Sequence, residues 1–81
     1  MKTRAHSYGT ANIVGKTIER LRKQRGIKQK DFIAMIQSLG CDMNPTSYSK
    51  LEGQVRSATD RELLAISTIL GVKIEELYNA E

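Results

Sequence analysis

Apolar residues recur along this chain at helical spacing, in short segments divided by glycines. Val14, Ile18 and Leu21 stand at i, i+4 and i+7, one stripe of a helix expected over residues 12–25 with Gly26 as its stop. Phe32, Ile36 and Leu39 repeat that spacing, and Ile33 widens the face, predicting a second helix over residues 29–39 that ends at Gly40. Tyr48 and Leu51 share one face of a third helix over residues 44–52. Leu63, Ile66, Ile69 and Leu70 mark a fourth helix, to about residue 70, and Ile74, Leu77 and Tyr78 a short last one over residues 73–78. No segment alternates with period two, so the expected fold is all-α, a compact bundle of about five short helices.

Capping residues sharpen the boundaries. Asn44 can accept hydrogen bonds from the first turn of the third helix, and Pro45 suits its first position. Gly53, in a left-handed conformation, is the expected stop. Thr59 and Glu62 have the spacing of a capping box. The second helix breaks the pattern: Lys28 stands where Ser or Thr would cap, and Lys30 follows beside the positive end of the helix dipole. A local rule broken without local compensation often marks a functional site. Two lysines around exposed backbone N–H groups suit an anion.

The third helix differs from the others in what it turns outward. Opposite Tyr48 and Leu51 it offers Pro45, Thr46, Ser49 and Lys50, short hydrogen-bonding groups and one cation on a helix anchored from behind. Charge points the same way. Residues 1–56 hold 11 Lys/Arg against 4 Asp/Glu, and residues 57–81 hold 2 against 5. A net of +7 followed by −3 suggests a polyanion as partner of the first part. The cations of the first helix, Lys16, Arg20, Arg22, Lys23 and Arg25, fit either a solvated face that complements the helix dipole or a set of phosphate contacts.

At 81 residues the chain is one domain. Residues 1–11 lack apolar periodicity and read as a flexible basic arm, an untethered terminus or one reaching nucleic acid; residues 12–81 form the domain. Lone Cys41 cannot form an internal disulfide and fits a reducing compartment, and no apolar run approaches membrane-spanning length, so a cytoplasmic protein without membrane association is expected. No catalytic constellation is present, no cofactor is implied, and His6 lacks the companions of a metal site. Gly15-Lys16-Thr17 lacks the upstream glycine of a phosphate loop and lies within a helix.

Taken in order, Arg25-Gly26, Gln29, Leu51-Glu52-Gly53 and the run from Leu70 and Gly71 to Leu77 resemble the lambda-repressor-like, Cro/Xre class of helix-turn-helix DNA-binding domains, over residues 12–78. The resemblance implies a sequence-specific regulator, a dimeric repressor reading the major groove of double-stranded DNA with helix 44–52. Base contacts then fall on Asn44, Pro45, Thr46, Ser49 and Lys50. Phosphate contacts fall on Gln29 with Lys28 and Lys30, and on Arg22, Arg25 and Arg56. Glu52 matches a structural glutamate that pairs with an arginine, here Arg20, Arg22 or Arg56. The acidic C-terminal part, through Val72, Ile74, Leu77 and Tyr78, is the expected surface of a weak homodimer. An alternative on the same fold is a protein-interaction module such as an antitoxin, with a toxin or other protein as partner. This chain departs from the family in having about five extra residues between Gln29 and Glu52, which bears on the angle of the reading helix.

Overall fold

The computed structural model describes residues 7–79. Four α-helices, α1 (Gly15–Gln24), α2 (Gln29–Ser38), α3 (Pro45–Glu52) and α4 (Asp60–Leu70), are followed by a terminal 3₁₀ helix, Ile74–Tyr78. No strand occurs among the described residues. The helical stripes converge on one core of thirteen buried residues, with Ile18, Phe32, Ile36, Tyr48, Leu51, Ile66 and Leu77 each at 0 % exposure. Phe32 and Tyr48 meet edge to face with ring centroids 5.6 Å apart, which fixes α2 against α3.

The caps explain where the helices begin. Asn44 Oδ1 accepts from the Ser47 N–H at 2.8 Å, and Thr59 with Glu62 forms a complete capping box. The first helix begins later than its stripe suggests. Asn12 stands before it and accepts from the N–H groups of Val14 (3.0 Å) and Gly15 (2.9 Å), so Asn12 caps rather than joins the helix.

Three expectations change at the other ends. Leu39 is 52 % exposed: α2 stops at Ser38, Gly40 turns the chain at φ +84°, and Met43, 6 % exposed, fills the core instead. Gly53 has φ −79°, and the left-handed position after α3 belongs to Gln54 at φ +63°. The Gln54 side chain repays that conformation by accepting from the Lys16 N–H and donating to Gly9 O, each at 2.9 Å.

Most of the segment expected as an arm, residues 1–6, lies outside the described residues. Its described end is held as a strap: Gly9 N–H donates to Gly53 O (2.8 Å) and Ala11 N–H to Gln54 O (2.9 Å). Tyr8 hydrogen-bonds Glu19, and Lys16 lies 5.4 Å above the Tyr8 ring. Asn12 extends the same tie by donating to Leu51 O (3.0 Å) and Arg56 O (2.8 Å). The start of α1 and the end of α3 are thereby joined through backbone, which requires Gly15 to lie almost on the Glu52 and Leu51 carbonyls.

Candidate nucleic-acid interface

Asn44, Pro45, Thr46, Ser49 and Lys50 are all exposed and share the outward side of α3, and Tyr48 and Leu51 behind them are fully buried. Pro45, Thr46, Ser49 and Lys50 line a shallow depression together with Gln29, from the first turn of α2. The residues singled out by pattern are therefore brought to one place by two helices. Asn44 Oδ1 accepts from the Ser47 N–H, which leaves its amide NH₂ and one lone pair of Oδ1 for an outside partner.

Behind this face lies a buried charge network. Arg22 is 6 % exposed and Glu52 0 %. Arg22 Nε donates to Glu52 Oε2 at 2.9 Å, Nη2 to Glu52 Oε1 at 3.3 Å and Nη1 to Ile27 O at 2.7 Å. Tyr48 donates its hydroxyl to Glu52 Oε2 at 2.7 Å, and Gln29 Nε2 donates to Oε1 at 3.0 Å. A buried carboxylate with this many donors is compensated, and it ties the end of α3 to α1 and to the first residue of α2. Burial alone would lower the Arg22 pKa, but the bonds and charge of Glu52 outweigh it and the guanidinium is held above its ordinary value. Burial beside that carboxylate pushes the Tyr48 phenol far up, so it remains a donor.

The expected phosphate contacts divide accordingly. Arg22 does not reach the surface, being enclosed with Glu52, and of the three arginines named for that carboxylate it is the one that pairs. Arg25 is exposed but donates to Leu70 O (3.1 Å) and Leu21 O (3.2 Å), joining the C-terminal ends of α1 and α4. Arg56 uses its guanidinium within the protein, on Ser47 O (2.9 Å), Ser57 O (2.8 Å), Glu62 (2.9 and 3.0 Å) and Met43 Sδ (3.8 Å). On α1, Lys23 pairs with Glu19 at 3.1 Å. Of the expected phosphate contacts, Lys28 and Lys30 remain exposed, and Gln29 is half-buried with its Nε2 on Glu52. Lys28 makes no side-chain cap, so the first N–H groups of α2 point outward between two exposed lysines, and Asp31 in that turn moderates the charge.

At the C-terminal surface Leu77 is wholly buried and belongs to the core, and Val72 is half-buried against it. Ile74 and Tyr78 stay 38 % and 47 % exposed. Thr17 donates its hydroxyl to Asn79 O at 2.6 Å and closes this end onto α1. Pattern reading missed half-buried Asn12 and buried Gln54 as part of a frame for α3, and placed Glu62 only as the capping partner of Thr59. The one signal available for them was a side-chain amide or carboxylate next to a helix boundary.

Two helices joined by a turn, the second presenting a polar face from a buried footing, constitute a helix-turn-helix. A helix-turn-helix family model matches residues 18–77, and the chain belongs to this family, of the lambda-repressor-like Cro/C1 type. It is a DNA-binding transcriptional regulator of the Xre/Cro type, from a family that is generally non-enzymatic. No curated protein and no solved structure matches the chain. No helix among the described residues is long and apolar enough to cross a membrane.

Proposed function

We propose that the protein is a sequence-specific dimeric repressor whose α3 enters the major groove of double-stranded DNA. The supporting observation is the shared depression of Gln29, Pro45, Thr46, Ser49 and Lys50, backed by a carboxylate network that leaves α3 little freedom at its far end. Thr46 and Ser49 are short enough to let the helix approach base edges, and Asn44 and Pro45 lie beside them at its start. Lys50 carries a donor suited to guanine O6 and N7. Lys28, Gln29 and Lys30 meet the phosphate backbone at the uncapped start of α2, where an anion also relieves the repulsion between lysine and dipole.

One reading helix spans only a few base pairs, so two copies related by a two-fold axis bind half-sites about one helical turn, ~34 Å, apart. Ile74 and Tyr78, beside Glu75 and Glu76, form the contact between copies. With Leu77 inside the core that contact is small, and dimerisation is weak without DNA. Repression follows as the simplest outcome of occupying a promoter.

Selection of bound duplexes from random DNA tests this reading, followed by footprinting and by light scattering of the concentrated protein. The expected result is a near-palindromic site, with affinity falling steeply with salt. Binding that enriches no sequence would refute the specificity, and a monomer protecting one half-site would refute the dimer. Lys50→Ala should lose about 1–3 kcal/mol at a single base position.

A further inference from the structure

Arg56 lies in the loop between α3 and α4, and its guanidinium reaches the first half of α3 rather than its Glu52 end. Its anchor is rigid. Glu62, which receives both terminal nitrogens of the guanidinium, accepts the Thr59 N–H at 2.9 Å as part of the α4 capping box. From that anchor Arg56 reaches two elements. Nε donates to Ser47 O in the first half of α3, and Nη2 approaches Met43 Sδ in the turn before it. Counting Ser57 O, all five N–H groups of the guanidinium have partners inside the protein. A phosphate contact would need at least one of them aimed outward.

We propose that Arg56 is a positioning residue: it sets the pose of α3, and of the long turn before it, against the start of α4, and so carries base specificity without touching DNA. The proposal rests on the reading of α3 as the helix that enters the groove. α3 is pinned at its end by the buried Arg22–Glu52 pair and at its middle by Tyr48 on Phe32, whereas the cap on its first turn, Asn44 to Ser47, is local to the helix and does not fix its direction. Thr46 lies six residues, ~9 Å, from Glu52, so rocking α3 by about 6° about that end moves Thr46 by roughly 1 Å. Hydrogen bonds to base edges have a window of only about 0.5 Å. The first half of the turn, residues 39–41, is tied back to α2 by the backbone N–H groups of Leu39, Gly40 and Cys41, and its second half is held by Gln37 Nε2 to Met43 O at 2.7 Å, the buried Met43 side chain and Arg56. The planar fork is what lets one side chain serve Ser47, Ser57 and Glu62 together, and lysine cannot reproduce it.

The test uses the full chain and the variants Arg56→Lys, Arg56→Gln and Glu62→Gln. Each is measured against a selected duplex and a scrambled one over a salt series, with amide hydrogen exchange of the DNA-free proteins. Positioning predicts that all three lose about tenfold or more on the selected duplex, keep wild-type affinity on the scrambled one, and keep its salt slope. Faster exchange in α3 and the turn, with α1 unchanged, is the matching result without DNA. Arg56→Lys binding as wild type, with Arg56→Gln weakened equally on both duplexes and its salt slope reduced by about one, would make Arg56 a phosphate contact and overturn the proposal. Glu62→Gln separates the two, because removing an anion cannot delete a phosphate contact. If the wild-type chain selects no duplex, the DNA reading fails by itself, and the exchange data still decide whether Arg56 holds α3: unchanged exchange in Arg56→Lys overturns it.

Discussion

Replacing Arg22 with methionine tests whether the fold depends on compensating one buried carboxylate. The substitution keeps most of the side-chain volume and removes the charge. Glu52, at 0 % exposure, then retains only Tyr48 and Gln29 among the donors described above. Removing one partner of a buried ion pair costs about 3–5 kcal/mol, because the other charge is left in a medium that solvates it poorly. A chain of 81 residues has a total stability of about 4–12 kcal/mol, so Arg22→Met should remove about a quarter of it or more. In a domain of this size it should lower the melting temperature by roughly 12–40 °C. The cause is separable from lost packing. In the double variant Arg22→Met with Glu52→Gln the buried charge itself is gone, and the penalty should shrink by about 2 kcal/mol relative to Arg22→Met alone. Urea unfolding of the wild type, both single variants and the double variant gives the cycle. A cost below about 1 kcal/mol for Arg22→Met, or a double variant as weak as the sum of the singles, would refute the view that an uncompensated Glu52 charge is what the pair prevents.

Other perturbations probe separate parts of the structure. Lys28→Ser should supply the missing cap of α2 and raise stability by about 1 kcal/mol while lowering the salt slope of DNA binding by about one; unchanged urea stability would count against the vacant cap. Gly15→Ala places a Cβ 2.5 Å from Glu52 O and 2.6 Å from Leu51 O, so it should cost about 1–3 kcal/mol in thermal melts although alanine is the better helix former, and an unaltered melting temperature would contradict this close approach. Burial would raise the Glu62 pKa, but the bonds from Arg56 and Thr59 outweigh it and hold the carboxyl below its ordinary value. Its stabilising contribution is therefore present above the unfolded carboxylate range and lost as pH falls through the folded value. The stability gap between wild type and Glu62→Gln should be largest near pH 7 and narrow below about pH 4, and a gap constant with pH in urea titrations would remove the charge from the explanation.

Where one helical face decides burial, the amino-acid pattern was sufficient. Ile18, Phe32, Ile36, Leu51 and Ile66 are buried as their spacing requires, and Thr59 with Glu62 caps α4 as its own residues dictate. Such features depend on neighbours three or four positions away. Leu39 failed that logic. It keeps the period of Phe32 and Ile36, but the helix ends one residue earlier and the turn returns Met43 to the core. A periodic stripe cannot show where backbone geometry abandons the period, and the glycine that marks the break stands one residue too late to warn of it.

The functional face shows a second limit, which concerns charge. The outward side of α3 could be found because it is defined by what it lacks: large apolar groups between an Asn-Pro start and a Leu-Glu end. The cations were harder, because lysine and arginine look alike in a pattern and differ in geometry. Arg22, Arg25 and Arg56 are each fixed by carbonyl or carboxylate oxygens of distant segments, at sequence separations of 30, 45 and 6 residues for Glu52, Leu70 and Glu62. The two lysines beside Gln29, in contrast, stay at the surface. The division follows from the side chains. A planar fork with five donors can satisfy several buried oxygens at once, whereas an ammonium on a flexible stem is strongly hydrated and is more cheaply left in water. In this domain Arg22 and Arg56 brace α3 and Arg25 ties α1 to α4, whereas Lys28 and Lys30 stay exposed. A basic composition therefore overstates the number of cations left without intramolecular partners. The salt slope of the wild-type protein, set by Lys28, Lys30 and whichever further cations reach the backbone, should fall well short of what 11 Lys/Arg in residues 1–56 would imply.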